Sequence, residues 1–223
     1  NEFVTITDHQ YGFITKKEVV IYQEGKKEPL DISFHETDLE AEDIQLVGYP
    51  HYMLKEIEES EEVIRRLIDN YFDGNKYLFD TRVLDKIRQA KNIVFLACGT
   101  SYHACLIGKR YMYEMGKNSE VHIASEWAFY PYVAEKDSLF IIVSQSGETA
   151  DLIHCMEIIN ERGAPVITIT NTKGSTLDRE ADHTLLLYAG VEIAVASTKA
   201  YIAQVALLAL LVGALQNVTN VVS

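Results

Sequence analysis

Short apolar runs alternate with amphipathic stretches through the second half of the chain. These runs are rich in β-branched residues and predict strands at residues 93–97, 139–143, 166–170 and 184–188, with a shorter strand at residues 121–124. Apolar runs without polar alternation are typical of strands that are covered on both faces of a sheet. Because helical stretches separate the strands, the pattern predicts an α/β fold with a doubly wound, mainly parallel sheet flanked by helices.

The helical stretches are predicted from their own periodicity and end signals. Between the strands they occupy residues 101–115, 150–161 and 175–181. Gly163 and Pro165 are typical stop signals for the second of them. The last apolar run, residues 205–215, predicts a buried helix, because a helix that spans a membrane needs about 20 apolar residues.

Residues 49–72 show a different, purely helical pattern. Their apolar side chains recur at spacings of three, four and seven, which predicts one long helix with a buried face formed by Leu54, Ile57, Ile64, Leu67, Ile68 and Phe72. A weaker amphipathic segment follows at residues 83–87. We therefore expect the parallel sheet to be preceded by helices.

Residues 1–48 differ from the rest of the chain in charge. They hold 11 acidic and 4 basic residues, a net charge of −7, with two β-rich pieces and an acidic run at residues 3–7, 19–22 and 36–43. Two or three strands cannot bury a core alone, so we expect a short β-rich N-terminal tail and a linker ahead of one domain at residues 49–223. Since the chain starts at Asn1 rather than Met, we also expect it to be a piece of a longer polypeptide.

Composition narrows the classes of function. A net charge of −13 and a hydrophobic content of 48% exclude general disorder and disfavour nucleic acid or an anionic membrane surface as a partner. The cysteines and histidines do not fall at metal-ligand spacings, so we predict no metal and no cofactor. An odd number of cysteines, three, favours a reducing and hence cytoplasmic location.

Two loops that follow predicted strands are rich in glycine and hydroxyl side chains. They are residues 98–101, Cys-Gly-Thr-Ser, and residues 144–149, Ser-Gln-Ser-Gly-Glu-Thr. In a doubly wound sheet, ligands bind at the carboxyl ends of the strands, where free backbone N–H groups at helix starts attract anions. Neither loop contains Lys or Arg, a P-loop sequence or a dinucleotide-binding glycine pattern. The loops therefore favour a sugar phosphate over a nucleotide, although each hydroxyl alone could simply cap a helix.

Other polar residues near these loops have ordinary structural explanations. Lys199 opens the last helix, where an ion-paired role is more typical than Schiff-base chemistry. His103 fits a helix surface, and Glu148 fits a helix cap rather than a general base. Cys98 follows a strand at a helix start, a position that is expected to lower a thiol pKa, although a small residue buried in the turn is the simpler interpretation. Ser197 and Thr198 are candidates for capping the last helix.

Three segments form a set that carries a family resemblance. They are residues 97–103 (ACGTSYH), residues 139–151 with Ser-Gln-Ser-Gly-Glu-Thr inside, and residues 195–200 (VASTKA). Together they resemble the glutamine–fructose-6-phosphate aminotransferase family, the glucosamine-6-phosphate synthases. The middle segment alone marks the broader sugar isomerase (SIS) fold. The resemblance extends over about residues 50–216, and it differs at Ala194, where the family usually carries Gly.

This resemblance implies a first SIS domain that binds fructose 6-phosphate within a glutamine-dependent transferase of amino sugar biosynthesis. The implied phosphate-binding residues are Thr100, Ser101, Ser144, Gln145, Ser146 and Thr149. The residues implied to line the sugar are Cys98, Gly99, Val195, Ala196 and Ser197. The implied partners are a sugar phosphate, the remainder of the synthase polypeptide, with its glutaminase and second SIS domains, and a second copy in a homodimer.

The catalytic groups of the family are expected to lie outside this chain. The family's glutaminase nucleophile is an N-terminal Cys, and residues 1–48 contain no Cys. Its isomerase Glu, ring-opening His and Schiff-base Lys belong to the second SIS domain, which would begin after Ser223. We therefore predict no catalytic residue here and no activity of the piece alone. Two alternatives stay open: a non-enzymatic regulator that senses a phosphosugar, and a stand-alone isomerase of two identical subunits with Glu148, Glu192 or His103 as base.

Overall fold

The computed structural model describes residues 2–4, 6–36, 45–131 and 138–219. The chain divides into two compact units, Asn1–Gln45 and Leu46–Ser223. The first unit is built from two short antiparallel pairs. Strand β1 (Glu2–Phe3) pairs with β4 (His35–Glu36), and β2 (Gln10–Ile14) forms a hairpin with β3 (Val19–Gln23).

The strand predicted at residues 19–22 is therefore confirmed, whereas β2 was not predicted. The strand predicted at residues 3–7 is wrong in extent, because β1 ends at Phe3. Of the predicted acidic run at residues 36–43, residues 37–43 lie outside the described residues.

The second unit is built on a five-stranded sheet with every pair parallel. Its strands lie in the order β6-β5-β7-β8-β9 and are β5 (Asn92–Ala97), β6 (Asn118–Ile123), β7 (Ser138–Ser144), β8 (Val166–Thr170) and β9 (His183–Leu186). Every residue of β7 and β8 is buried, as continuous apolar sequence predicts for central strands. The predicted α/β class and the parallel sheet are confirmed.

Eight helices are described around this sheet. They are α1 (Tyr52–Glu58), α2 (Ser60–Tyr71), α3 (Thr81–Gln89), α4 (Gly99–Glu114), α5 (Ala124–Phe129), α6 (Ala150–Arg162), α7 (Thr176–Glu180) and α8 (Lys199–Thr219). Helices α2, α3, α4 and α8 pack in the larger apolar core, and α5, α6 and α7 pack in the smaller one. Helices thus cover both faces of the sheet, which makes it doubly wound.

The predicted long helix at residues 49–72 is two helices, and its buried face overlaps the predicted one only in part. A turn at Glu59 separates α1 from α2. The buried face of α2 carries Val63, Leu67 and Tyr71, whereas Ile57 and Ile68 are 46% and 38% exposed. Of the predicted face, Leu67 is buried, Leu54, Ile64 and Phe72 are half-buried, and Ile57 and Ile68 are exposed, so the prediction is confirmed only in part.

Helix α8 is longer than its apolar run predicts. Its stretch Lys199–Asn217 is long and apolar enough to cross a bilayer by length and composition, but half of that stretch is buried inside the unit. Ala203, Leu207, Leu208 and Leu211 are completely buried against the larger core. Packing inside the domain accounts for the apolar character of α8, and the predicted buried helix is confirmed.

Candidate functional site

The strand order of the sheet reverses beside β5. After β5 the chain turns to the edge strand β6, and it then returns to place β7 on the other side of β5. The loops that leave β5 and β7 lead into α4 and α6, which pack in the two different cores on opposite faces of the sheet. Such a reversal opens a crevice at the carboxyl ends of the two strands, where doubly wound proteins bind ligands.

A cavity of about 160 Å³ occupies this crevice. Its wall is formed by Cys98, Ser101, Val143, Ser144, Gln145, Ser146, Thr149 and Leu152. Six of these eight residues belong to the two loops that the sequence singled out. None of the eight carries a formal charge at neutral pH, so a ligand would meet hydroxyls, backbone N–H groups and a short apolar wall.

The serine hydroxyls of the cavity share one hydrogen-bonding arrangement. Each serine Oγ accepts an N–H from the protein: Ser144 from Gly147 N at 3.1 Å, Ser146 from Glu148 N at 3.1 Å, and Ser101 from Gln204 Nε2 at 2.9 Å. A hydroxyl has one hydrogen to donate and two lone pairs that accept. Since these bonds use only a lone pair, the hydrogens of Ser101 and Ser146 remain available to a ligand in the cavity.

Thr149 completes the set by pairing with Ser144. The two hydroxyl oxygens lie 3.1 Å apart, and one of them donates to the other. Whichever one donates, the partner's hydrogen is left for a ligand. The cavity therefore presents hydroxyl donors, together with the unpaired N–H groups at the start of each following helix.

The hydroxyls of these loops do not act as helix caps. Cys98 is the N-cap residue of α4 and Thr149 is that of α6, and neither side chain makes a capping hydrogen bond. Ser101 lies in the first turn of α4, beyond the cap position. The capping explanation for Ser101 and Thr149 is therefore wrong, which leaves their hydroxyls for the cavity.

Gly147 fixes the shape of the second loop. Its φ of +70° lies in the left-handed region, and a Cβ at this position would lie 2.0 Å from Ser175 Oγ and 2.9 Å from Thr170 Oγ1. The carbonyl of Gly147 accepts from Leu177 N at 3.1 Å. A glycine is required here because the loop passes directly over the start of α7 and the end of β8.

The structure favours the simpler interpretation of Cys98 over a lowered thiol pKa. Burial raises the pKa of this thiol, and the opposing backbone hydrogen bond at Ala124 does not compensate for it. The negative charge of Asp151 raises the pKa further. Cys98 therefore contributes a small, neutral, half-buried wall to the cavity rather than a nucleophile.

The remaining implied site residues do not line this cavity. Thr100, Gly99 and Ala196 are exposed, Val195 is fully exposed, and Ser197 is half-buried. Gly99 has a left-handed φ of +55° where the chain turns from β5 into α4. The structure brings together Cys98, Ser101, Ser144, Gln145, Ser146 and Thr149, and it places residues 195–197 on a separate exposed segment between β9 and α8.

That exposed segment is held by two carboxylates, one buried and one half-buried, rather than by hydroxyl caps. Glu56, only 2% exposed, accepts from Ile193 N at 2.6 Å and Ala194 N at 2.9 Å through Oε1. Glu192 Oε1 accepts from Thr198 N at 2.8 Å and from the backbone N of Ala200 at 3.3 Å, so it caps α8. The capping role suggested for Thr198 is therefore wrong, since its Oγ1 has no partner among the described residues.

Lys199 is ion-paired, as the simpler interpretation predicts. Its Nζ lies 2.6 Å from Glu59 Oε2, and its side chain is nearly buried.

The three residues considered as a general base have structural roles or lie on the surface. Glu148 accepts from Thr176 N at 2.8 Å, Glu192 caps α8, and His103 lies exposed on α4. Among the described residues, no group of three or more His, Cys, Asp or Glu side chains could hold a metal ion.

Comparison with known proteins identifies the family. A family model for the SIS domain matches residues 86–214. The chain belongs to the SIS domain family. The SIS domain here is also 36% identical, with a TM-score of 0.73, to the C-terminal domain of glucosamine-fructose-6-phosphate aminotransferase from Francisella tularensis, a match that covers 78% of this chain and 49% of that one.

Two curated relatives of this SIS domain carry the same name. The chain is 48% identical over 221 residues to the glutamine–fructose-6-phosphate aminotransferase of Geobacillus kaustophilus and 45% identical over 213 residues to that of Listeria monocytogenes. These matches cover 96% and 95% of this chain but 36% and 35% of the relatives. The chain thus spans about a third of the length of the curated relatives that it matches, and the family resemblance seen in the sequence is confirmed.

Several residues of the site were missed by sequence reasoning. Val143 and Leu152 supply the apolar wall, and their strand and helix positions carry no signal that separates them from ordinary core residues. Glu56 and Gln204 act through buried hydrogen bonds to other chain segments. For Gln204, the sequence signal for a functional role was its polar side chain inside the apolar sequence of α8.

Proposed function

We propose that this SIS domain binds the phosphate group of fructose 6-phosphate as part of a glutamine-dependent glucosamine-6-phosphate synthase. The cavity between β5 and β7 holds the phosphate through Ser101, Ser144, Ser146 and Thr149, with Gln145 in the wall. Thr100 at the rim adds a further hydroxyl. The sugar carbons extend past Cys98 and Gly99 toward the segment with Val195, Ala196 and Ser197.

The observation that carries this proposal is the arrangement of the serine hydroxyls. Each one accepts an N–H from the protein, which leaves the hydrogens of Ser101 and Ser146, and one hydrogen of the Ser144–Thr149 pair, for the ligand. A phosphate dianion only accepts hydrogen bonds, and its oxygens accept several at once. Hydrogen bonds to a charged group are worth about 1.5–3 kcal/mol each, so a few such donors hold a phosphate without a cation in contact.

The cavity is suited to binding rather than to proton transfer. None of its lining residues is a carboxylate, imidazole or amine, and burial keeps the thiol of Cys98 protonated. Amination and isomerisation of a ketose phosphate require groups that take up and release protons. In this proposal those groups come from the remainder of the synthase polypeptide, its glutaminase and second SIS domains.

Two further features belong to the same proposal. The synthase works in the cytoplasm, where the three free thiols stay reduced. It also works as a homodimer, as the sequence resemblance implies. Size-exclusion chromatography with light scattering on the whole synthase would test the second point, and a monomer at micromolar concentration would contradict it.

Replacing Ser144 and Ser146 together by Ala tests the site. The double variant is expected to weaken fructose 6-phosphate binding by about a hundredfold or more, because two charge-assisted hydrogen bonds are lost. Isothermal titration calorimetry on the 223-residue chain gives the dissociation constants. Unchanged binding would overturn the placement of the phosphate.

Ser138→Ala is the matched control for that experiment. Ser138 is also a buried serine of β7, but it lies at the opposite end of the strand from the cavity. It is expected to leave the dissociation constant unchanged. Circular dichroism of both variants separates a lost ligand contact from lost folding.

A non-enzymatic regulator that senses a phosphosugar is the second candidate. It would use the same cavity, so binding experiments do not distinguish it. The curated relatives at 45–48% identity are named as aminotransferases, which favours the synthase. Glucosamine 6-phosphate formation by the whole polypeptide would decide between the two.

A further inference from the structure

A buried glutamine connects the last helix to the cavity. Gln204 on α8 is only 1% exposed, and its Nε2 donates to Ser101 Oγ at 2.9 Å. Ser101, 7% exposed, lies in the first turn of α4 and lines the cavity. The two residues are 103 positions apart in the chain, so this contact is made only in the folded domain.

The surroundings of Gln204 make its burial costly. Its neighbours on the buried face of α8, Ala200, Ala203, Leu207 and Leu208, are apolar and completely buried. The Oε1 atom of Gln204 is buried and has no hydrogen-bond partner in the described part of the chain. An unpaired buried amide oxygen destabilises a fold, whereas an apolar side chain of the same size would not. Stability of the fold therefore does not explain this residue.

Close packing of α4 and α8 fixes the contact. Gly108 of α4 faces Leu208 of α8, and a Cβ at Gly108 would lie 3.0 Å from Leu208 Cδ1. The absence of a side chain there lets the two helices approach within reach of a short serine–glutamine hydrogen bond. The direction of that bond decides what Ser101 can do, since a hydroxyl that accepts from an amide keeps its own hydrogen free.

We propose that Gln204 is a positioning residue that makes Ser101 a hydrogen-bond donor to the phosphate of the ligand. This inference rests on the proposed phosphate site, and it adds to that site a residue that never touches the ligand. Gln204 does for Ser101 what the backbone N–H groups of Gly147 and Glu148 do for Ser144 and Ser146. Ser101 needs a side chain for this purpose because its hydroxyl faces a neighbouring helix rather than its own loop.

A double-mutant cycle tests the inference with fructose 6-phosphate as the probe. Ser101→Ala, Gln204→Met and the double variant are titrated by calorimetry in the 223-residue chain. Ser101→Ala is expected to weaken binding about tenfold, the loss typical of one charge-assisted hydrogen bond. Gln204→Met is expected to weaken it about threefold or more, and in the Ser101→Ala background it should cause no further loss. Two independent losses that multiply in the double variant would overturn the inference.

Two further variants keep the test decisive. Gln204→Leu also removes the amide donor but fills the space with a differently shaped apolar side chain, so it should weaken binding as well, and unchanged binding would overturn the inference. This variant decides the matter if Gln204→Met does not fold. Gln216→Met, at an exposed position about three turns further along α8, is the matched control and should bind like the original chain.

The same set of titrations separates this inference from the proposed function. If Ser144→Ala/Ser146→Ala weakens binding while Gln204→Met and Gln204→Leu do not, the phosphate site stands and the role of Gln204 is overturned. If none of the serine variants weakens binding, the phosphate site itself fails and the inference fails with it.

Discussion

Glu59 and Lys199 lie 140 positions apart in the chain and form an ion pair in which Oε2 and Nζ are 2.6 Å apart. Glu59 is the turn residue between α1 and α2, and Lys199 is the first residue of α8. One turn earlier, Glu56 accepts two backbone N–H groups of the segment before α8. The junction of the first two helices thus fixes the segment that leads into the last helix.

Removal of Lys199 is expected to destabilise the domain. Lys199→Met leaves Glu59 in a partly buried position, where Lys55, with its Nζ 3.5 Å from Glu59 Oε1, is the one cation that remains paired with it among the described residues. Loss of one partner of a largely buried pair should lower the free energy of unfolding by about 2 kcal/mol. Urea unfolding followed by circular dichroism measures the change. Lys173→Met, at an exposed lysine, is the control, and equal effects of the two variants would contradict the role of the pair.

Substitution of Gly147 should be far more damaging than substitution of another left-handed glycine. Gly163, the residue that ends α6, has φ +67° and no heavy atom near its missing Cβ, so Gly163→Ala carries only the conformational cost of about 1 kcal/mol. Gly147→Ala adds a clash with Ser175 and Thr170. Thermal unfolding should show a clearly larger loss for Gly147→Ala, together with loss of fructose 6-phosphate binding. Similar melting temperatures would contradict the tight approach at this loop.

The three thiols should differ in reactivity. Burial raises the pKa of Cys155 to about 12 and raises that of Cys105 as well, while Cys98 is half-buried at the cavity. At pH 8 a thiol reagent such as 5,5′-dithiobis(2-nitrobenzoate) should modify Cys98 slowly and the other two only after unfolding. Fructose 6-phosphate should slow the reaction of Cys98, and Cys98→Ala should abolish it. Rapid modification of two or more thiols in the folded chain would contradict this.

Asp80 should make stability depend on pH in the acid range. Arg82 Nη2 donates to Asp80 Oδ2 at 2.6 Å, and the backbone N–H of Arg82 donates to Asp80 Oδ1 at 2.8 Å. These hydrogen bonds lower the pKa of Asp80 to about 2. A folded pKa below the unfolded value of about 3.9 gives stability that is complete above pH 4 and is lost as the pH falls toward 2. The stability difference between the original chain and Asp80→Asn, from urea unfolding, should therefore shrink as the pH falls below 4. A difference that stays constant down to pH 3 would contradict the lowered pKa.

The sequence predicts those parts of the fold that local patterns encode. The strands at β5, β7 and β8 are continuous apolar runs, and the two loops after β5 and β7 stand out by glycine and hydroxyl content, so strands and cavity could both be located. Helix α5 was missed because the strand predicted at residues 121–124 overlaps its first residue. The strand predicted at residues 184–188 is shorter in the structure. It ends at Leu186, because Tyr188 takes a left-handed φ of +50°.

Contacts between distant segments could not be predicted in the same way. Glu56 belongs to the charged last turn of α1 and would ordinarily be exposed, and only the tertiary fold brings it to Ile193 and Ala194. Gln204 likewise meets Ser101 only because α4 and α8 pack closely. The site residues that follow a strand were therefore found from sequence, whereas the residues that orient them were not.

Calorimetric titration of the chain with fructose 6-phosphate and with unphosphorylated fructose tests the central claim most directly. We expect the phosphorylated sugar to bind, inorganic phosphate to compete with it, and fructose to show no binding at the same concentrations, because the cavity recognises the phosphate through donated hydrogen bonds. Equal binding of the two sugars, or no binding of fructose 6-phosphate, would contradict a phosphate site in this cavity.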